Sequence, residues 1–302
     1  MSNNRVWFLG APDPEMAAIE ELLKECGEKV KYATINGQRV KPHEAYKADN
    51  IFGSLAESTY LVECGDCRVG YPFTGETDIN SHIIVIDHHV PSNAGYGKPA
   101  EDYLIASSIG QSVRVLARLG ILPDWGIGHS DASGSPGDWD YMEDPPEIYH
   151  AGMWRNVPQE LLFVAAADHC LCSAYQGLCP GVDPDELMQW RVESRAKFQG
   201  RSADSILNDI AAARKAIINA PFFRLSDDVF VRDLRGTFIP ELPEASAREN
   251  KCFIATGIGE VKKIVCQSGS PWQISAFMRW AKEQGCKNIY GDPERGFAGG
   301  IL

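Results

Sequence analysis

Apolar and polar positions follow two rhythms along the chain. Arg5-Val6-Trp7-Phe8-Leu9-Gly10 is a compact apolar run closed by glycine, as expected of a buried strand. A proline-rich turn follows, and from Met16 to Cys26 apolar residues recur at helical spacing. Tyr60-Leu61-Val62-Glu63-Cys64-Gly65 predicts a second strand ending in a turn. Ile83-Ile84-Val85-Ile86 is β-branched on both faces, which suits a central parallel strand. Ile109, Val113, Leu116 and Leu119 then mark a helix over Ser107–Leu119. Strands alternating with helices predict an α/β fold with a mostly parallel sheet flanked by helices.

The segment 123–147 has no periodicity and is rich in Gly, Pro, Asp and Trp, so it is expected to be a long surface loop or lid. Helical patterning resumes over 158–167 and, with interruptions, over 185–220. Short strands follow at Val229–Leu234, Cys252–Thr256 and Lys263–Gln267, then a helix at Trp272–Gln284 and a strand at Asn288–Tyr290. Residues 1–220 are therefore expected to form one α/β domain and 221–302 a second, smaller α/β domain.

Composition narrows the partners. The 302 residues carry a net charge of −12, which argues against binding duplex nucleic acid but leaves a small phosphorylated ligand open. No apolar stretch reaches membrane-spanning length and no basic–apolar leader opens the chain, so a cytoplasmic protein without a membrane partner is expected. The nine cysteines lack a disulfide framework. Cys64-x-x-Cys67 and Cys170-x-Cys172 are read as reduced thiols rather than zinc ligands.

Candidate chemistry gathers where apolar segments end, which is where open α/β sheets bind ligands. The third strand runs into Asp87-His88-His89. Asp13 and Glu15 follow the first strand on a Pro-x-Pro turn, where they either converge on a ligand or cap the helix at Met16. Glu63 closes the second strand, as a ligand or as a solvated turn acid. Asp168-His169 follows the apolar run Leu161–Ala167, as a functional or a satisfied structural pair. Together these carboxylates and imidazoles make an oxygen–nitrogen donor set suited to Mn²⁺ or Mg²⁺. Two such ions could support in-line phosphoryl displacement. Paired carboxylates would also serve glycoside hydrolysis, but that chemistry gives no reason for two adjacent histidines.

At this point the chain resembles the DHH family of phosphoesterases, which includes RecJ-like exonucleases, oligonucleotide and cyclic-dinucleotide phosphodiesterases, and family II pyrophosphatases. The namesake triplet stands as Asp87-His88-His89. Pro12-Asp13-Pro14-Glu15 is similar to the family's first motif, Val62-Glu63-Cys64-Gly65 to its second, and Asp168 to its fourth. Ser107-Ser108-Ile109-Gly110-Gln111 resembles its serine-rich helix start. The resemblance implies a metal-binding catalytic first domain. Asp13 would ligate one ion, Glu15, His88 and Asp168 the other, and Glu63 would bridge them. Asp87 would orient the histidines, and His89 would face the substrate phosphate. Asp87, His88 and His89 are thus the catalytic candidates, with Mn²⁺ or Mg²⁺, two ions or one, as cofactor.

Three departures stand out. Leu9 occupies the place of a family histidine, and Glu15 and Glu63 replace aspartates. The family's phosphodiesterases often end in a Gly-Gly-Gly-His loop with a nearby arginine; here Arg295, Gly299 and Gly300 stand as substrate-binding candidates, with no histidine following. The resulting expectation is a metal-dependent phosphoesterase acting on a nucleotide or short oligonucleotide, with a homodimer left open. The alternatives are phosphoanhydride hydrolysis, or nucleotide binding by a catalytically impaired relative.

Overall fold

The structure, a computed structural model, describes residues 4–54, 56–67, 82–123, 156–257 and 262–302. Nearly all of the expected 123–147 loop lies outside the described residues. The chain is α/β and packs as two compact units, Met1–Tyr96 with Leu104–Ala165, and Gly97–Tyr103 with Ala166–Leu302.

In the first unit, β1 (Arg5–Leu9), β2 (Val30–Tyr32), β5 (Ser58–Val62) and β6 (His82–Ile86) form a parallel sheet in the order β2-β1-β5-β6. A small hairpin, β3 (Thr34–Ile35) and β4 (Gln38–Arg39), stands apart from it. Val6, Phe8 and Leu61 pack on Ala33, Val40, Ala45 and Ile51. Trp7 and Tyr60 stack with centroids 4.1 Å apart. Full burial of each large apolar side chain contributes about 1.5–3 kcal/mol.

Two helices of this unit begin for local reasons. α1 (Pro14–Glu25) starts where Asp13 accepts a hydrogen bond from Met16 N at 2.7 Å and Pro14 supplies a helix-ready φ. α2 (Ser108–Arg118) starts where Ser107 Oγ accepts from Gly110 N at 3.1 Å. Their buried faces carry Met16, Ile19, Leu22 and Leu23, and Ile109, Val113 and Leu116.

The register decides where function can sit. Leu9 pairs with Val62 and Val62 with Ile86, so three parallel strands end level. The ladder extends one residue further, Gly10 N donating to Val62 O and Glu63 N to Ile86 O, each at 3.0 Å. Gly10, Glu63 and Asp87 therefore leave the sheet along one edge.

The unit boundary falls inside α3 (Gln159–Tyr175), between Ala165 and Ala166. α4 (Pro184–Gln199) packs on α5 (Ala203–Asn219), α5 packs on the C-terminal sheet, and both belong to the second unit. That sheet is mixed, ordered β11-β12-β10-β9-β8-β7, with β8 and β9 parallel and its other described pairings antiparallel. Its strands are β7 (Phe222–Ser226), β8 (Val229–Asp233), β9 (Phe253–Thr256), β10 (Lys263–Gln267), β11 (Lys287–Asp292) and β12 (Phe297–Ile301). Ile217 and Ala213 of α5 cover one face together with α6 (Leu242–Glu249). Ile274 and Phe277 of α7 (Pro271–Glu283) cover the other. Among the described residues, no helix is long and apolar enough to cross a membrane.

A buried ion group ties three helices of this unit together. Arg191 on α4 donates to Glu244 on α6 through Nε at 3.0 Å and Nη2 at 2.7 Å, and the Tyr175 hydroxyl at the end of α3 donates to the same carboxylate. Burial alone would push the Glu244 carboxyl up; the Arg191 guanidinium overrides that and holds it below the usual carboxylate value. A depressed folded-state value stabilises the fold at neutral pH and stops doing so as pH falls through it. Glu244→Gln is therefore expected to unfold at lower urea than the parent at pH 7, with the difference shrinking below about pH 4. A pH-independent difference in urea midpoints would contradict this.

Candidate metal centre

Four side chains converge at the level strand ends of the first unit. Glu15 on α1, Glu63 after β5 and His88 after β6 place ligand atoms within 4.8 Å of one another, and Glu63, His88 and His89 do the same. His88 Nε2 lies 3.4 Å and His89 Nδ1 4.0 Å from Glu63 Oε1. Glu15, Glu63 and His88 are buried, with 2%, 8% and 0% exposure, a setting in which ionised groups persist only when paired or bound to a cation.

Backbone geometry is committed to this arrangement. Glu63 has φ +48°, a left-handed conformation that costs an L-residue about 1–2 kcal/mol. A Cβ on Gly10 would lie 2.3 Å from the Glu63 carbonyl, so only glycine lets the end of β1 pass so close. A Cβ on Gly95 would meet Ala106 O at 1.9 Å and His88 Cβ at 2.6 Å.

Neighbouring groups fix each candidate ligand. Ser108 Oγ donates to Glu63 Oε1 at 2.8 Å, and Ile109 N donates to Glu15 Oε1 at 2.9 Å. Both donors stand at the N-terminus of α2, whose dipole favours the carboxylates. Asp87 Oδ1 accepts from His88 N at 2.6 Å, His89 N at 2.9 Å and His89 Nδ1 at 2.9 Å. Gln111 holds the Asp87 backbone from both sides, its Oε1 accepting from Asp87 N at 3.2 Å and its Nε2 donating to Asp87 O at 3.0 Å. Asn93 Oδ1 accepts from His89 N at 3.1 Å and Val90 N at 2.9 Å.

Asp13 caps α1 and is not among the converging groups of the described residues. Leu9, fully buried in β1, supplies no donor. Asp168 follows the apolar run Leu161–Ala167 within α3, in the second unit, just before a break at Cys170 (φ −152°, ψ 54°). Its carbonyl and Oδ2 accept from Arg295 Nη2 at 2.9 and 3.1 Å, and the His169 carbonyl accepts from Arg295 Nε at 3.1 Å. Arg295 thus splints the broken turn of α3 and is not a free clamp. Gly299 and Gly300 belong to β12, opposite Val265 and Ile264 of β10. A Cβ on Gly299 would lie 2.6 Å from the Tyr290 ring, so packing accounts for the glycine there.

Ser108 and Gln111 stood in the helix start noted in the sequence, but their contacts were not legible there. Tyr46 and Asn93 carried no motif at all.

The donor set fits a divalent cation that prefers oxygen with some imidazole, such as Mn²⁺ or Mg²⁺. It does not fit a thiolate zinc site. Burial pushes the Cys64 thiol well up, and its Sγ donates to Phe8 O at 3.4 Å.

No protein-family model matches the chain, and no curated protein matches it. Among solved structures, the chain is similar to a pGpG-specific phosphodiesterase, PggH from Vibrio cholerae, at 11% identity and a TM-score of 0.37, covering 99% of this chain and 92% of that one. A likeness at that level carries no argument about fold or function.

Ser108→Ala removes a donor that holds Glu63 Oε1 but is not itself among the candidate ligands. It is expected to weaken Mn²⁺ binding by about 10–100-fold, read by titration calorimetry on the folded protein. Unchanged affinity would show that Ser108 does not set the site.

Proposed function

We propose that this chain is a Mn²⁺- or Mg²⁺-dependent phosphohydrolase that cleaves a phosphodiester or phosphomonoester in a nucleotide or short oligonucleotide. The observation that carries the reading is the buried convergence of Glu15, Glu63 and His88 beside a His89 tethered to Asp87. An ion held by the first three would supply Lewis acidity toward a phosphoryl oxygen.

The chain's own residues account for the rest. Ser108 and the amide of Ile109 keep the two carboxylates in place, so little reorganisation is needed when substrate arrives. His89 directs Nδ1 to Asp87, so that Nε2 would face the substrate. As an imidazolium, backed by the Asp87 carboxylate, His89 would donate a proton from Nε2 to a phosphate or leaving oxygen.

We infer one ion rather than two. The position that would supply a further imidazole is Leu9, and Asp13 is engaged as a helix cap. Arg295 keeps a single buried donor, Nη1, without a hydrogen-bond partner among the described residues, and any phosphate contact would run through it. Gly299 enters the reading as a packing position, and Gly300 stays a substrate-binding candidate from the sequence. The same Leu9 and Asp13 observations favour one second reading, a nucleotide-binding protein with impaired turnover.

Calorimetry is expected to give one Mn²⁺ per chain; two equivalent ions would overturn the single-ion inference. A panel of dinucleotides, cyclic dinucleotides, mononucleotide bisphosphates and pyrophosphate, assayed with Mn²⁺, should show phosphoester hydrolysis. His88→Ala or Asp87→Ala should lower kcat by about 100-fold or more. Unchanged turnover in both variants would remove the proposal. Stoichiometric metal and tight nucleotide binding without turnover would select the second reading.

A further inference from the structure

We propose that Tyr46 is a positioning residue that acts through Asp87 on His89; its catalytic consequence rests on the phosphohydrolase reading of the site. Tyr46 sits in the turn Pro42–Lys47, 41 residues from Asp87 in sequence, and its hydroxyl donates to Asp87 Oδ2 at 3.0 Å. The two oxygens of Asp87 thus face different partners. Oδ1 serves the backbone amides of both histidines and the His89 ring, while Oδ2 takes the tyrosine.

This division matters because an aspartate χ2 is a soft, nearly two-fold torsion. Gln111 fixes the Asp87 main chain, but a main-chain clamp does not choose which way the carboxylate plane is turned. The amides of His88 and His89 hold Oδ1 and the Tyr46 hydroxyl holds Oδ2, so the plane is pinned from both ends with Oδ1 on the His89 ring. The His89 side chain is 34% exposed, and the Asp87 carboxylate holds its ring through Nδ1.

The turn bearing Tyr46 is itself anchored. Ala45 and Ala48 on either side are buried. Gly65 N donates to Ala45 O at 3.1 Å, Ala48 N to Gly65 O at 3.0 Å, and Cys67 N to Ala48 O at 2.9 Å. The strand extension that begins with Glu63 therefore carries the turn, and with it the tyrosine, to Asp87.

The test is Tyr46→Phe, which keeps the ring and removes one hydroxyl. It is expected to lower kcat about tenfold, the size of one hydrogen bond to a charged group, with KM and Mn²⁺ affinity changed by less than about twofold. In a His89→Ala background the same substitution should change kcat by less than about twofold, because the group it positions is gone. An equal loss in both backgrounds, no loss in the parent, or a loss explained by weaker Mn²⁺ binding would overturn the proposal.

A readout independent of turnover separates this inference from the reading on which it rests. In protein carrying ¹⁵N-histidine, the His89 Nδ1–H signal, assigned by its disappearance in His89→Ala, should broaden and exchange faster in Tyr46→Phe. If the signal is unaffected, Tyr46 does not position His89. If it responds while no phosphoester is hydrolysed by any variant, the link from Tyr46 to His89 stands and the phosphohydrolase reading fails.

Discussion

The level ending of three parallel strands is the constraint on which the site depends. Because Leu9, Val62 and Ile86 share one register, whatever follows each strand leaves the sheet at the same height. A slip of one residue would turn every side chain of a strand to the opposite face. The alternation of buried Val6 and Phe8 on one side and Trp7 on the other forbids it. Hydrophobic packing in the body of the sheet thereby sets the positions of carboxylates and imidazoles at its rim.

Around that rim, the fold accepts costs that make sense only together. Glu63 takes a backbone conformation that glycine or asparagine would adopt more easily, Gly10 gives up a side chain so the chains can pass, and three ionisable groups are buried side by side. Departures from local preference gathered at one spot mark it as a candidate functional site. The N-terminus of α2 compensates in part, by pointing a backbone amide and a hydroxyl at two of those charges.

Much of this was legible in the sequence. The long apolar runs of β1, β5 and β6 and the helical spacing of α1 and α2 were plain, because burial on both faces or along one stripe leaves a strong pattern. The three-residue β2, the β3–β4 hairpin and β7 were not, since short or half-exposed strands such as Phe222-Phe223-Arg224-Leu225-Ser226 carry little periodicity. β12 was not legible as a strand because its strand character comes from neighbours, Tyr290 above all, and not from its own side chains. At the site, Glu15, Glu63, His88 and His89 come together, and they are adjacent to strand ends in sequence. The work of Tyr46, Asn93 and Gln111 was hidden because a hydrogen bond between distant residues leaves no spacing to detect. Asp13 shows the limit from the other side: one aspartate satisfies both a cap rule and a motif, and only geometry separates them.

Asp87 closing on the amides of the two residues after it has one more implication. The turn is built from contiguous residues, in the manner of an Asx turn, so part of its shape is written locally, and Gln111 and Tyr46 complete it. The triplet can keep its form while surrounding loops lengthen, shorten or change composition. Such a nucleus lets a lineage remodel everything a ligand meets first and still hand down the same chemical core.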